Sequence, residues 1–182
     1  MKIALLGRLR SGKTTAMNFM INFAQNEFNI KLVPKPLAEP IYKEAKAFYE
    51  RHGLVWRKNR RLMEGMGQAL NEDYPNGDKI VELFDKDFNP DDNLIVEDCR
   101  RITQADYLKD RGFQLIRISA SEEIRKQRCK PGEFSSGHIT DIELDDYSTH
   151  YNAINEGNLE QLKIECEEII SCIMKLKTDL RQ

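Results

Sequence analysis

This 182-residue sequence predicts an α/β domain, a three-layer α/β/α arrangement around a central parallel sheet. Three observations predict it. An apolar run, Ile3-Ala4-Leu5-Leu6, feeds directly into a glycine-bracketed loop and then a helical pattern. Further short apolar runs alternate with segments of helical period, the signature of strands joined by crossover helices. The chain is 40% hydrophobic and 32% charged, a composition that supports a proper core at this length.

The strand at residues 3–6 is read from its unbroken apolar run, as expected of a strand covered on both faces. The loop that follows, Gly7-Arg8-Leu9-Arg10-Ser11-Gly12-Lys13-Thr14, matches G-x-x-x-x-G-K-[ST]. The backbone N–H groups of such a P-loop, here through Arg10, Ser11 and on to Thr15, wrap the phosphates of a nucleotide. Lys13 reaches the outer phosphates and Thr14 ligates Mg²⁺. Gly7 and Gly12 let the chain turn tightly and approach a phosphate with no Cβ between.

A helix is expected from Lys13 to about Gln25, apolar around most of its circumference and therefore central on the sheet. A second strand is expected at Ile30–Val33, stopped by Pro34 and Pro36. Residues 40–88 read as helical, with a turn at Tyr74-Pro75-Asn76-Gly77. Strands follow at Leu94–Val96 and Leu115–Ile118, separated by a helix over Gln104–Arg111 that ends at Gly112. A loop is expected over Lys130–Gly137, and a final amphipathic helix from Leu159 to about Lys177. The result is a single domain with core segments 1–37, 93–128 and 150–182, a helical insert at 38–92 and a lid at 129–149.

Composition excludes several function classes. A net charge of −2 provides no basic field for a nucleic-acid duplex. No run of 18 apolar residues exists to span a membrane. Cys99, Cys129, Cys166 and Cys172 form no zinc or disulfide framework, so reduced thiols are expected. The P-loop begins at residue 7, leaving no room for a signal peptide ahead of it. A cytoplasmic location is the expectation, the host cytoplasm if the chain is phage-encoded.

The chemistry beyond the loop is carried by acids and arginines. Leu94-Ile95-Val96-Glu97-Asp98 ends an apolar strand in two acids, where a P-loop protein holds Mg²⁺. Asp98 is the preferred metal residue and Glu97 the reserve. Arg100 and Arg101 follow at once, bringing cationic forks to the place where phosphates converge. Arg117, Arg125, Arg128 and Lys130 cluster beside the lid as candidates to stabilise a migrating phosphoryl group, and Arg125 and Arg128, spaced i, i+3, share a helix face. In the insert, Arg57, Arg60 and Arg61 accompany Tyr42, Phe48, Tyr49 and Trp56, a set able to hold an acceptor's phosphate and stack on its base.

With these segments in order, the chain resembles the bacteriophage-type deoxynucleoside monophosphate kinases, within the P-loop nucleoside monophosphate kinases. Arg60-Arg61-Leu62-Met63 with Gly67 resembles R-x-L-[LM]-x-x-x-G. Val96-Glu97-Asp98-Cys99-Arg100 resembles V-x-D-x-R. His138 through Tyr147 is similar to H-x-S-E-x-x-L-D-D-Y, and Ile154 through Leu162 to I-x-N-x-G-[ST]-L-x-x-L. The resemblance implies that Arg60 and Arg100 contact the acceptor monophosphate and that Asp98 serves the metal or the attacking oxygen. It also implies that the backbone around Asn155–Gly157 lies against the ATP adenine, and it adds Glu64 and His138 to the substrate residues. Two departures stand out: Thr103-Gln104 where the family has Asn-Glu, and Glu64 where Gln is common.

The expected function is ATP- and Mg²⁺-dependent phosphoryl transfer to a (deoxy)nucleoside monophosphate, giving ADP and the diphosphate. The expected partner is that small molecule, with a homodimer of the chain also open. Two alternatives stay open: a P-loop kinase of another small metabolite such as dephospho-coenzyme A, and a non-catalytic nucleotide-binding module. A GTPase-like switch is disfavoured, because neither [NT]-K-x-D nor D-x-x-G occurs.

Overall fold

A computed structural model describes residues 1–74, 78–130 and 142–179. The chain divides into two compact units, residues 1–34 with 91–182, and residues 35–90.

The first unit is built on a five-stranded sheet. Its strands are β1 (Lys2–Leu6), β2 (Val33–Pro34), β3 (Leu94–Val96), β4 (Gln114–Ser119) and β5 (Tyr151–Ile154), in the spatial order β2-β3-β1-β4-β5. Every pairing is parallel. The predicted parallel α/β architecture is therefore the observed one. Helices α1 (Lys13–Phe28) and α7 (Leu159–Asp179) pack together on one face. There Ile3 and Leu5 of β1 meet Met17, Met20 and Ala24 of α1 and Leu162, Cys166 and Ile170 of α7. The alternate residues Ala4 and Leu6 are equally buried, so β1 is covered on both sides. Helix α5 (Ile102–Asp110) packs on β4. The crossover through α1 joins β1 to β2 and that through α5 joins β3 to β4, in opposite directions along the sheet, so right-handed connections put α1 and α5 on opposite faces.

The reversal at β1 positions the site. In an open parallel sheet, ligands bind beyond the carboxyl ends of the strands where the strand order reverses. The P-loop after β1, Glu97–Arg100 after β3, helix α6 (Glu122–Gln127) after β4 and Asn155–Gly157 after β5 all emerge at that edge.

Several boundaries differ from the sequence reading. Helix α1 runs on to Phe28 and stops at Asn29, whose left-handed backbone (φ 53°) donates back to Gln25. The Ile30 N–H is spent on Ala24 O in the same cap, so the second strand cannot start at Ile30 and shrinks to Val33–Pro34. Pro34 is tolerated there because β2 is an edge strand: Val33 N–H points to Asn93 O, which leaves the Pro34 nitrogen facing outward. Strand β5 has no counterpart in the sequence reading.

The second unit contains α2 (Glu39–Arg51), α3 (Arg60–Glu72) and α4 (Lys79–Lys86). Asn59 caps α3 by accepting from Leu62 N, and Asp78 caps α4 by accepting from Ile80 N and Val81 N. No helix among the described residues is long and apolar enough to cross a membrane.

Candidate active site

The P-loop is held in the backbone conformation its glycines allow. Gly7 has φ 140° and Gly12 φ 105°, and Arg10 joins them in the left-handed region at φ 62°. A Cβ on Gly7 would lie 2.2 Å from Ile118 O, and one on Gly12 would lie 2.0 Å from Asn155 Nδ2. Both contacts are far inside van der Waals range, so the loop is packed against β4 and against the loop after β5. Helix α1 begins at Gly12 with no side-chain cap. The positive end of its dipole and its first N–H groups are thus directed at the loop, an anion-binding arrangement.

Lys13 is almost fully buried, and its Nζ donates to Gly7 O at 2.7 Å and Arg8 O at 3.0 Å. Its ammonium is therefore folded over the loop rather than extended into solvent. Ser11 Oγ is buried and makes no hydrogen bond among the described residues. A buried hydroxyl in that state fits a loop that receives phosphate oxygens. Thr14 Oγ1 donates to Glu97 Oε2 at 2.7 Å. A hydroxyl and a carboxylate at the end of a phosphate loop are the hard oxygen ligands Mg²⁺ takes. The acid beside Thr14 is thus Glu97, the reserve in the sequence reading. Asp98, the preferred one, follows it at the end of β3.

Arg128 does not reach outward. Its guanidinium donates to Arg10 O at 3.3 Å, to Ser11 O at 3.5 Å, and to Asn155 O and Oδ1 at 3.1 Å each. Asn155, 2% exposed, in turn donates from Nδ2 to Ser11 O at 2.8 Å. Arg128 and Asn155 therefore tie the loop's carbonyls to α6 and to the end of β5. Arg125 is buried along α6.

A cleft of about 310 Å³ opens beside this network, lined by Gly12 and Thr15, by Ile124, Gln127 and Arg128, and by Asn155, Gly157 and Leu159. Of the predicted cofactor residues, Gly12, Thr15, Asn155 and Gly157 are thus brought to one cavity, with Arg128 as its neighbour.

Residues 142–147 lie against the same edge. Arg8 of the P-loop forms a bidentate ion pair with Asp145. Arg117 donates to Leu144 O at 2.8 Å and Tyr147 O at 2.6 Å, and Glu143 Oε1 accepts from Ile102 N at the start of α5. Tyr147 donates to Asp106 at 2.6 Å; burial first, and then that carboxylate, push its hydroxyl well above the usual tyrosine range. Arg117, read from sequence as part of a phosphate-directed cluster, is spent on these carbonyls.

Arg100 follows β3, with its N–H bonded to Gln104 Oε1 at 2.9 Å. Gln104 is nearly fully buried, so at the Thr103-Gln104 departure its amide oxygen caps the turn into α5. In the second unit, Arg60 opens α3 and Glu64 lies one turn later. The Arg60 side chain is outside the described part of the structure. Trp56 packs edge-on against Tyr49, 5.4 Å between ring centres, and Asn59 Nδ2 donates to the Tyr49 hydroxyl. His138 lies outside the described residues, as does most of the predicted lid.

No protein-family model and no curated protein sequence matches the chain. Solved structures do. The shikimate kinase of Aquifex aeolicus superposes with a TM-score of 0.54 at 16% identity, over 99% of this chain and 98% of its own. A gluconokinase from Sinorhizobium meliloti gives 0.53 at 10% identity, over 100% and 97%. The shikimate kinase of Acinetobacter baumannii, solved with shikimate, gives 0.54 at 13%, over 97% and 94%. The chain shares its fold with these two shikimate kinases and this gluconokinase.

No local sequence signal singles out Arg8, Asp145, Ser121 or Glu156. Arg8 and Glu156 occupy variable positions of their motifs, and Asp145 belongs to a motif whose partners lie more than a hundred residues away.

Proposed function

We propose that the protein transfers the γ-phosphoryl group of ATP to a (deoxy)nucleoside monophosphate. An oxygen of the acceptor's phosphate bonds to the γ-phosphorus, the bond from that phosphorus to the β,γ-bridging oxygen breaks, and ADP leaves. The observation that carries the reading is the P-loop with Lys13 folded over its rim and Thr14 bonded to Glu97. When phosphates enter, Lys13 exchanges the Gly7 and Arg8 carbonyls for phosphate oxygens, and the N-terminus of α1 holds the charge. Thr14 and Glu97, with Asp98 next in the chain, would hold Mg²⁺, which would supply neutralisation of the charge on the phosphate chain. The nucleoside end lies in the cleft against Asn155–Gly157. Arg128 acts chiefly by fixing the loop, and Arg125, on the same helix, is the second arginine assigned to the transferring group.

On the acceptor side, Arg100 is the cation assigned to the monophosphate, and the motif resemblance adds Arg60. Trp56, from the aromatic cluster of the insert, is the candidate to stack on the base, and the family motifs add Glu64 and His138 to the substrate residues. A second reading is transfer to a hydroxyl of a small metabolite; the similar folds of a shikimate kinase and a gluconokinase favour it. Initial rates of ADP release with ATP–Mg²⁺ and each common ribo- and deoxynucleoside monophosphate test the proposal. At least one monophosphate should support turnover. A response confined to hydroxylated acceptors or a coenzyme precursor selects the second reading, and ATP binding without any acceptor selects a non-catalytic module.

A further inference from the structure

The cleft beside the P-loop has two walls, and consecutive residues of one loop grip both ends of the wall that faces them. That wall is α6, which contributes Ile124 and Gln127 and ends at Arg128; the opposite side is formed by Asn155, Gly157 and Leu159. Six residues are too few for a helix to hold itself in water. Ser121, its N-cap, makes no side-chain bond to its own helix. Its N–H and hydroxyl instead donate to Glu156, to Oε1 and Oε2 at 2.7 Å each. At the other end, Arg128 donates to Asn155 O and Oδ1. The root of the gripping loop is itself fixed: Asn155 N donates to Ser119 O at 2.7 Å, and Ile154 N to Glu165 Oε2 at 2.7 Å.

The two clasps differ in what they touch. Arg128 and Asn155 also hold the P-loop carbonyls, so they belong to the phosphate end. Glu156 is exposed, does not line the cleft, and bonds Ser121 at the far end of α6. We propose that Glu156 is a positioning residue that sets the width of the cleft where the donor's nucleoside lies, by holding the N-terminus of α6. This rests on the ATP reading above for what occupies the cleft. Without the clasp, α6 pivots about Arg128, so contacts to the nucleoside loosen while those to the phosphates do not.

Calorimetric titration with ATP–Mg²⁺ and with inorganic tripolyphosphate–Mg²⁺ tests it on the full chain. Glu156→Ala is expected to weaken ATP about tenfold and leave tripolyphosphate within about twofold, the loss of one charge-assisted clasp at a single end. Glu156→Gln, which keeps an oxygen to accept from Ser121, is expected to fall between Glu156→Ala and the wild type. Ser121→Ala combined with Glu156→Ala should be no worse than Glu156→Ala alone. Unchanged ATP affinity in Glu156→Ala and Glu156→Gln overturns the proposal, as does a parallel loss of tripolyphosphate affinity. Wild-type protein that binds neither ligand overturns the ATP reading itself, and this role of Glu156 with it.

Discussion

Replacing Gly12 with alanine perturbs the P-loop at a point where two costs can be worked from the structure. At φ 105° and ψ 19° the residue lies where L-amino acids are strained, which costs about 1–3 kcal/mol. The added methyl would sit 2.0 Å from Asn155 Nδ2 and 3.3 Å from Asn155 Cγ, so the amide must move. That amide is buried, donates to Ser11 O and accepts from Arg128. Displacing it leaves buried polar groups short of partners, a further cost of about 1–3 kcal/mol. The total of roughly 2–6 kcal/mol is a large share of the roughly 5–15 kcal/mol that stabilises a typical domain. Gly12→Ala should therefore fold, melt roughly 4–24 °C lower, and bind ATP at least about tenfold more weakly. Thermal melts followed by circular dichroism and ATP calorimetry read both effects. Adding Asn155→Gly to Gly12→Ala relieves the clash but not the backbone strain, so the two changes should be less than additive in stability. A Gly12→Ala protein with unchanged melting and ATP affinity, or a strictly additive double variant, would refute the reasoning.

Three other outcomes are expected. Lys13→Ala should keep its fold and lose at least about a hundredfold in turnover, because a cation over the transferring charge is removed; kcat near the wild-type value would contradict its role. The Glu82 carboxylate, bonded by Lys79 and then Lys86, is held down to about 2. Its contribution to α4 is full above the ordinary carboxylate range and fades as pH falls toward 2, so the stability gap between wild type and Glu82→Gln should close over that acid window. Burial pushes the Cys166 thiol up to about 12, so its share of stability is full below pH 9 and declines as pH rises toward 12. Disulfide-exchange labelling at neutral pH should modify exposed Cys172 rapidly and Cys166 only on unfolding.

What the sequence made legible follows from how much of the signal is local. The run Ile3–Leu6, the glycine spacing and the period of Leu162, Cys166, Ile169 and Ile173 each carry their meaning within a few residues. They gave β1, the P-loop and α7 with small errors at the ends. Strand β5 was not legible because among Tyr151–Ile154 only Ala153 is fully buried; the strand exists through its pairing with β4. Which of Glu97 and Asp98 reaches Thr14 depends on how β3 registers against β1, which two adjacent acids cannot reveal. The partners of Arg128 and Arg117 are mostly backbone carbonyls, which carry no sequence signature, so arginines that bind the protein's own loops read as arginines for phosphate. Arg8 and Asp145 pair across 137 residues, beyond any local pattern.

A crystal structure with a non-hydrolysable ATP analogue and Mg²⁺ tests the central claim most directly. The triphosphate is expected in the curve of residues 10–15, with the ammonium of Lys13 on its outer oxygens, Mg²⁺ held by Thr14 and Glu97, and the adenine between α6 and Asn155–Gly157. Nucleotide bound elsewhere, or bound with its base in the loop and its phosphates in the cleft, would contradict it.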